Sequence, residues 1–171
     1  MQLFVLYSYF MDGFAFAGEA LAGRYTGERN ATELWRCIRG LFLWGTVVMT
    51  VFALAYGLAG SEIMSLLTDD RNVVQHAADY RWWSVVIPVA GMGAFIWDGV
   101  YIGLTATRQM LIALFSATIA FFGLYYGLSL LSPDGFFADS NNILWISFIA
   151  YLFTRSAAQS LMAPRLLRRA F

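Results

Sequence analysis

The segment WWSVVIPVAGMGAFIWDGVYIGLTATRQM, residues 82–110, decides the fold of this chain. It contains an apolar run long enough to cross a bilayer, which takes about 20 residues as a helix. Pro88 lies in the first half of the segment, and Asp98 lies beyond its middle with no basic residue nearby. A carboxylate at the centre of a membrane helix costs about 2.5–3.5 kcal/mol on insertion scales, and a proline removes a backbone hydrogen bond. A membrane helix that carries both features is more typical of a protein that moves a solute than of a passive anchor.

The composition supports a membrane protein. The chain has 171 residues, of which 60% are hydrophobic and 13% charged, and its mean hydropathy is +0.62. Soluble domains are about half apolar and a quarter charged. Aromatic residues make up 18%, as expected where Trp and Tyr line both membrane interfaces. The predicted class is an all-α, multi-pass membrane protein whose first partner is the lipid bilayer, and no nucleic-acid partner is expected.

Five transmembrane helices are predicted, at about residues 3–22, 41–59, 82–104, 110–131 and 143–162. Residues 62–81 are predicted to form an outer loop with amphipathic pieces, and residues 163–171 a cytoplasmic tail. Asn30 or Thr32 is predicted to cap the helix that enters the second span, because both side chains can accept a hydrogen bond from a first-turn N–H.

The arginines predict the orientation. All eleven basic residues are arginine, and nine of them fall on one predicted side, at positions 24, 29, 36, 39, 108, 155, 165, 168 and 169. The positive-inside rule places that side in the cytoplasm, so the C-terminus is expected to be cytoplasmic and the first span to enter from outside. An N-terminus outside is unusual without a signal sequence, so one further span upstream of this chain is expected in the natural protein.

Three pieces of the sequence resemble multidrug and toxic compound extrusion (MATE) transporters, most closely the branch named after a DNA-damage-inducible protein. The pieces are MDGFAFAGEALAGRYTG at 11–27, LLTDDRNVVQHAADYRWW at 66–83, and PVAGMGAFIWDGVYIGLTATRQM at 88–110. The third piece is the most specific, and the likeness covers nearly the whole chain.

The resemblance implies a twelve-helix transporter with two six-helix lobes in the bacterial inner membrane. On that scheme the chain is a fragment holding helices eight to twelve, most of the C-terminal lobe, and its partner is the missing N-terminal lobe. The implied function is secondary active efflux of small amphipathic, often cationic, organic compounds in exchange for H⁺ or Na⁺, with no other cofactor. The family's best-supported cation-coupling aspartate lies in its first helix, which this chain lacks.

The acidic residues of the predicted spans are the candidates for coupling or substrate binding, in the order Asp98, Asp12 and Glu19. Asp12 and Glu19 are seven residues apart, so they share one helix face about 10 Å apart along the axis. Burial in a low-dielectric cavity disfavours a charged carboxylate, which allows it to exchange protons near neutral pH. The alternative is structural: each acid hydrogen-bonds a neighbouring helix and fixes its packing.

Three further residues carry weaker hypotheses. Trp97 and Tyr101 flank Asp98 and are candidates for lining a cavity, because aromatic faces attract organic cations; the alternative is ordinary packing. Pro88 is a hinge candidate, and the alternative is a static kink. No metal site is predicted, since the single His76 has no second ligand near it in the sequence.

Two other function classes were weighed against the transporter. An intramembrane aspartyl protease needs two aspartates on neighbouring helices, but its Gly-x-Gly-Asp pattern is absent, because Gly91 and Gly93 precede Asp98 by too many residues. No enzyme is therefore expected. A non-transporting membrane assembly subunit is the remaining alternative.

Overall fold

The computed structural model describes residues 1–67, 81–131 and 140–170. Within these ranges it contains no strand and five helices, which are α1 (Gln2–Gly27), α2 (Ala31–Leu67), α3 (Arg81–Gly103), α4 (Thr107–Leu131) and α5 (Ser140–Ala170). One helix covers each of the five predicted spans, so the all-α prediction is confirmed.

Three of these helices are long and apolar enough to cross a membrane: Ala31–Leu66 in α2, Trp82–Gly103 in α3 and Thr107–Leu130 in α4. The other two contain charged residues within their apolar stretches, Asp12 and Glu19 in α1 and Arg155 in α5. That α1 and α5 also span the membrane stays a prediction.

Most helices are longer than the predicted spans. α2 is kinked at Ala59 (φ −127°, ψ 25°), where the predicted span ends. Beyond the kink, Ile63 and Met64 continue the helix and pack against the core, so the predicted loop 62–81 is helical as far as Leu67. Residues 68–80 lie outside the described residues. The predicted tail from residue 163 is helical to Ala170 because α5 continues across Pro164.

α1 and α3 run parallel. The Tyr7 hydroxyl donates to the Pro88 carbonyl oxygen (3.0 Å) near the start of both helices, and Gly23 meets Gly103 near the end of both. The turns that follow these helices therefore lie side by side. In the turn between α1 and α2, the Asn30 side chain accepts a hydrogen bond from the Glu33 backbone N–H (3.2 Å). This bond confirms Asn30 as the predicted cap of α2.

α5 runs in the same direction as α3. The Trp83 indole nitrogen donates to the Asn142 side-chain oxygen (3.1 Å) near the start of each helix, and the Trp97 indole donates to Ser160 Oγ (2.8 Å) farther along. The C-terminal end of α5 thus lies at the same end of the bundle as the α1–α2 turn and the α3–α4 turn. This end is called the turn end below. This is the grouping that the arginine pattern predicts; that this end faces the cytoplasm stays a prediction.

Glycines bring α1 and α3 into close contact. A methyl group at Gly99 would lie only 2.6 Å from the Ala15 carbonyl carbon and 2.7 Å from its Cα, and one at Gly103 would lie 2.9 Å from the Gly23 nitrogen. Gly99 and Gly103 are four residues apart, the spacing at which two small residues let helix backbones approach in a membrane. The interface depends on these positions because backbone atoms, not movable side chains, fill the space.

α3 is the central helix of the bundle. It packs against α1, α2 and α5, while α4 packs mainly on α5. Of its apolar stretch, 61% is buried, against 17% for α2 and 11% for α4. The helix selected by sequence as the organising element is therefore the one that the others surround, and Asp98 lies on it.

Candidate functional site

Asp98 binds two side chains of α5. One carboxylate oxygen, Oδ2, accepts a hydrogen bond from Arg155 Nη2 (2.5 Å), and the other, Oδ1, accepts one from Gln159 Nε2 (2.7 Å). The side chains of Asp98 and Arg155 are only 18% and 20% exposed, and Gln159 is fully buried. Arg155 and Gln159 are four residues apart, which puts both on the face of α5 turned to α3.

The ion pair corrects two expectations. Asp98 has no basic neighbour in the sequence, yet in the fold it is neutralised by a residue 57 positions away. Arg155, grouped with the arginines at the predicted cytoplasmic end, lies inside the bundle. A lone buried charge costs several kcal/mol or more, so pairing of this kind is the usual condition for a carboxylate inside a bundle.

The network has unused hydrogen-bonding capacity. Arg155 Nε, a donor, and Gln159 Oε1, an acceptor, are buried and have no hydrogen-bond partner among the described residues. Most buried polar atoms in proteins have a partner. These two atoms lie on the side chains that hold Asp98, so the network has one donor and one acceptor that are not used.

Trp97 and Tyr101 pack beside this network. The Tyr101 hydroxyl donates to the backbone carbonyl of Gln159 (2.7 Å), and the Trp97 indole donates to Ser160. Tyr101 is fully buried and Trp97 is 6% exposed. Both aromatic residues thereby fix the position of α5 against α3 next to Asp98. That they line a drug cavity stays a prediction.

Asp12 lies close to Asp98 across the α1–α3 interface. It stands one helical turn before Ala15, whose backbone packs on Gly99, the residue that follows Asp98. Asp12 is half-buried. In the described part of the chain no side chain forms an ion pair with it. Asp12 is thus on the part of α1 that packs next to Asp98, while no hydrogen bond joins the two carboxylates among the described residues.

Glu19 lies farther along α1. Its backbone carbonyl packs against Gly103, five residues beyond Asp98 and so about 7.5 Å farther along the axis of α3. Its side chain is half-buried. Glu19 is therefore at the turn end of the interface, apart from the Asp98 network.

Pro88 is buried in the first half of α3. The helix continues through it, from Arg81 to Gly103, and its carbonyl oxygen binds Tyr7 of α1. A role as hinge is not tested by this geometry. Within residues 1–67, 81–131 and 140–170, no three His, Cys, Asp or Glu side chains come together in a group able to hold a metal ion.

Sequence reasoning missed Arg155 and Gln159. The available signal was their spacing: an arginine and a glutamine four residues apart, within an otherwise apolar stretch that runs on for a further turn. A buried cation on one predicted membrane helix and a buried anion on another are natural partners. The arginine count by membrane side hid this pairing, because it treated every arginine as an interfacial residue.

Comparison with known proteins gives concordant results. The sequence model of the MatE family matches residues 1–126. The chain is also 32% identical over 155 residues to the DNA damage-inducible protein F of Escherichia coli (strain K12), covering 91% of this chain and 32% of that protein. The chain thus spans about a third of the length of this relative. No solved structure matches. The family match covers well over half of the sequence, including all of α1, α2 and α3, and the chain belongs to the MatE family.

Proposed function

We propose that this chain forms most of the C-terminal lobe of a secondary active efflux antiporter, which exports amphipathic, mainly cationic, organic compounds in exchange for H⁺ or Na⁺. The observation that carries the proposal is the buried Asp98–Arg155–Gln159 network in the central helix pair of a MatE-family chain. In this proposal the complete transporter has twelve helices in two lobes, lies in the bacterial inner membrane with its C-terminus in the cytoplasm, and has the N-terminal lobe as this chain's partner.

The charges of the network suit ion exchange. By formal charge, Asp12 and Asp98 contribute two negative charges and Arg155 one positive charge, which leaves one net negative charge to attract a cation. A proton or Na⁺ that binds Asp98 competes with Arg155 for the same oxygen. The bound cation then brings the net charge of Asp12, Asp98 and Arg155 from minus one to zero. A cationic drug is therefore attracted in the ion-free state and no longer attracted once the coupling ion has bound, so drug and ion compete for the site as antiport requires.

The neighbouring candidates take supporting roles in this proposal. Trp97 and Tyr101 hold α5 beside Asp98 and offer aromatic faces to an organic cation when the helices part. Glu19 lies on the path between the Asp98 network and the turn end. Pro88 allows α3 to bend, because its ring removes one helical hydrogen bond.

Transport by the product of the complete open reading frame tests the proposal. Everted membrane vesicles from efflux-deficient cells are supplied with ethidium in the external medium, and dye uptake into the lumen is followed by fluorescence under an imposed H⁺ gradient and, separately, a Na⁺ gradient. The proposal predicts that at least one of the two ion gradients drives dye transport faster than in vesicles from cells with the empty vector. Absence of movement under both ions, with the protein present in the membrane by immunoblot, would contradict it.

A further inference from the structure

A cavity that is separate from the Asp98 network lies between α4 and α5 at the turn end of the bundle. Its volume is about 260 Å³, and it is lined by Arg108, Gln109, Ile112, Met162, Arg165 and Leu166. The lining contains two guanidinium groups and one amide but no carboxylate. In the described part of the chain neither Arg108 nor Arg165 forms an ion pair.

This cavity differs from the surface around it because it brings together two arginines that have no ion pair among the described residues. Arg29, Arg39 and Arg168 at the same end also have no ion pair there, but they do not line this cavity. Arg24 and Arg36, at the same end of the bundle, are each paired with a glutamate of their own helix. Arg108 and Arg165 come from two different helices and share one cavity. Arg108 and Gln109 also belong to the first turn of α4, where unpaired backbone N–H groups add positive potential. The cavity therefore has the chemistry of an anion site, and guanidinium groups suit phosphate oxygens in particular.

The apolar part of the lining indicates what carries the anion. Ile112, Met162 and Leu166 form the other wall. From Ile112 an exposed apolar strip continues along α4 through Phe115 and Ile119, away from the arginines. α4 is also one of the helices long and apolar enough to cross a membrane. A ligand that follows this surface has a negative head and a long apolar body.

We propose that this cavity binds the phosphate of an anionic phospholipid, with its acyl chains lying along the exposed face of α4. The headgroup contacts Arg108, Arg165 and Gln109, at the membrane surface where the turns and the end of α5 lie. Basic pockets between transmembrane helices at such a surface are typical sites for anionic lipid headgroups. The site is separate from the Asp98 network and is independent of the proposed transport activity.

Native mass spectrometry tests this site. The product of the complete open reading frame is purified in dodecyl maltoside and titrated with dioleoylphosphatidylglycerol or with zwitterionic dioleoylphosphatidylcholine. The test variant is Arg108→Gln/Arg165→Gln. The matched control is Arg24→Gln/Arg36→Gln, which removes the same charge from the same end at arginines that already have acidic partners. A third variant, Arg108→Lys/Arg165→Lys, keeps the charge.

One tightly held phosphatidylglycerol per protein is expected, with affinity about fivefold lower for each lost arginine and about thirtyfold lower for the double variant. The affinity of the control for phosphatidylglycerol should be within about twofold of the wild-type affinity. The affinity of the lysine variant should lie between those of wild type and the glutamine double variant. Three results would overturn the proposal: equal loss in the control and the test variant, equal binding of phosphatidylcholine, or displacement of the lipid by millimolar inorganic phosphate, which would assign the cavity to a soluble anion.

Discussion

Replacing Arg155 by glutamine should loosen the bundle more than any exposed charge change does. Arg155→Gln leaves Asp98 with one remaining hydrogen bond, from Gln159, while the carboxylate stays only 18% exposed. Removal of one partner of a buried ion pair typically costs about 3–5 kcal/mol. The side chains of Asp98 and Arg155 are each about a fifth exposed, and Gln159 still binds Asp98 in the variant. We therefore expect a loss of unfolding free energy at the lower end of this range, about 3 kcal/mol.

The double variant Asp98→Asn/Arg155→Gln should recover part of that loss, since no uncompensated charge remains. The coupling free energy of the two positions is expected at about 1–3 kcal/mol. The exposed pair Glu33–Arg36, with side chains 37% and 72% exposed, provides a matched control cycle. Its coupling should stay below about 1 kcal/mol.

Unfolding in mixed micelles, with sodium dodecyl sulfate as denaturant and tryptophan fluorescence as readout, measures both cycles on the same scale. The product of the complete open reading frame is used for all variants. Equal coupling in the buried and exposed cycles would refute the reasoning, because it would mean that the Asp98–Arg155 contact does not hold α3 to α5. Arg155→Gln with wild-type stability would refute it as well.

Two further predictions concern packing. Gly99→Ala should lower the free energy of unfolding by about 1–3 kcal/mol, because the new methyl group meets the α1 backbone. Gly123→Ala is the control, since the space around its new methyl group is open. Equal melting temperatures of the two variants in detergent would contradict the close α1–α3 contact. Tyr56→Phe removes the buried hydrogen bond to the Leu3 carbonyl (2.6 Å) and should lower the free energy of unfolding by about 0.5–1.5 kcal/mol in the micelle unfolding assay. The control Tyr9→Phe, at an exposed position, should leave stability unchanged. Unchanged stability of Tyr56→Phe would show that this hydrogen bond contributes nothing.

The helices were largely predictable from sequence because their signals are local. Apolar runs of sufficient length predict membrane helices, and Asn30 before Glu33 is a recognisable cap. The ends of the helices were less predictable. α2 continues past the kink at Ala59 and α5 past Pro164, because tertiary packing of Ile63 and Met64, among others, sustains helix beyond the most apolar stretch.

The candidate site was only half predictable. Asp98 was identified because an acid in an apolar helix is costly and therefore informative. Its partners were missed, since which helix packs against which depends on long-range contacts and not on the local pattern. The glycine contact of Gly99 with Ala15 decides that α1 lies against α3. The small residues were visible in the sequence, but their pairing across the two helices was not.

The central claim is that Asp98 takes part in the transport cycle and does more than hold two helices together. Ethidium efflux from efflux-deficient cells that express the complete open reading frame tests it most directly, with wild type, Asp98→Asn and the exposed control Glu28→Gln compared at equal membrane abundance. Asparagine keeps the shape and the hydrogen bond from Gln159 but removes the charge. We predict efflux by wild type and Glu28→Gln and none by Asp98→Asn. Equal efflux by all three would contradict the account and would make Asp98 a purely structural residue.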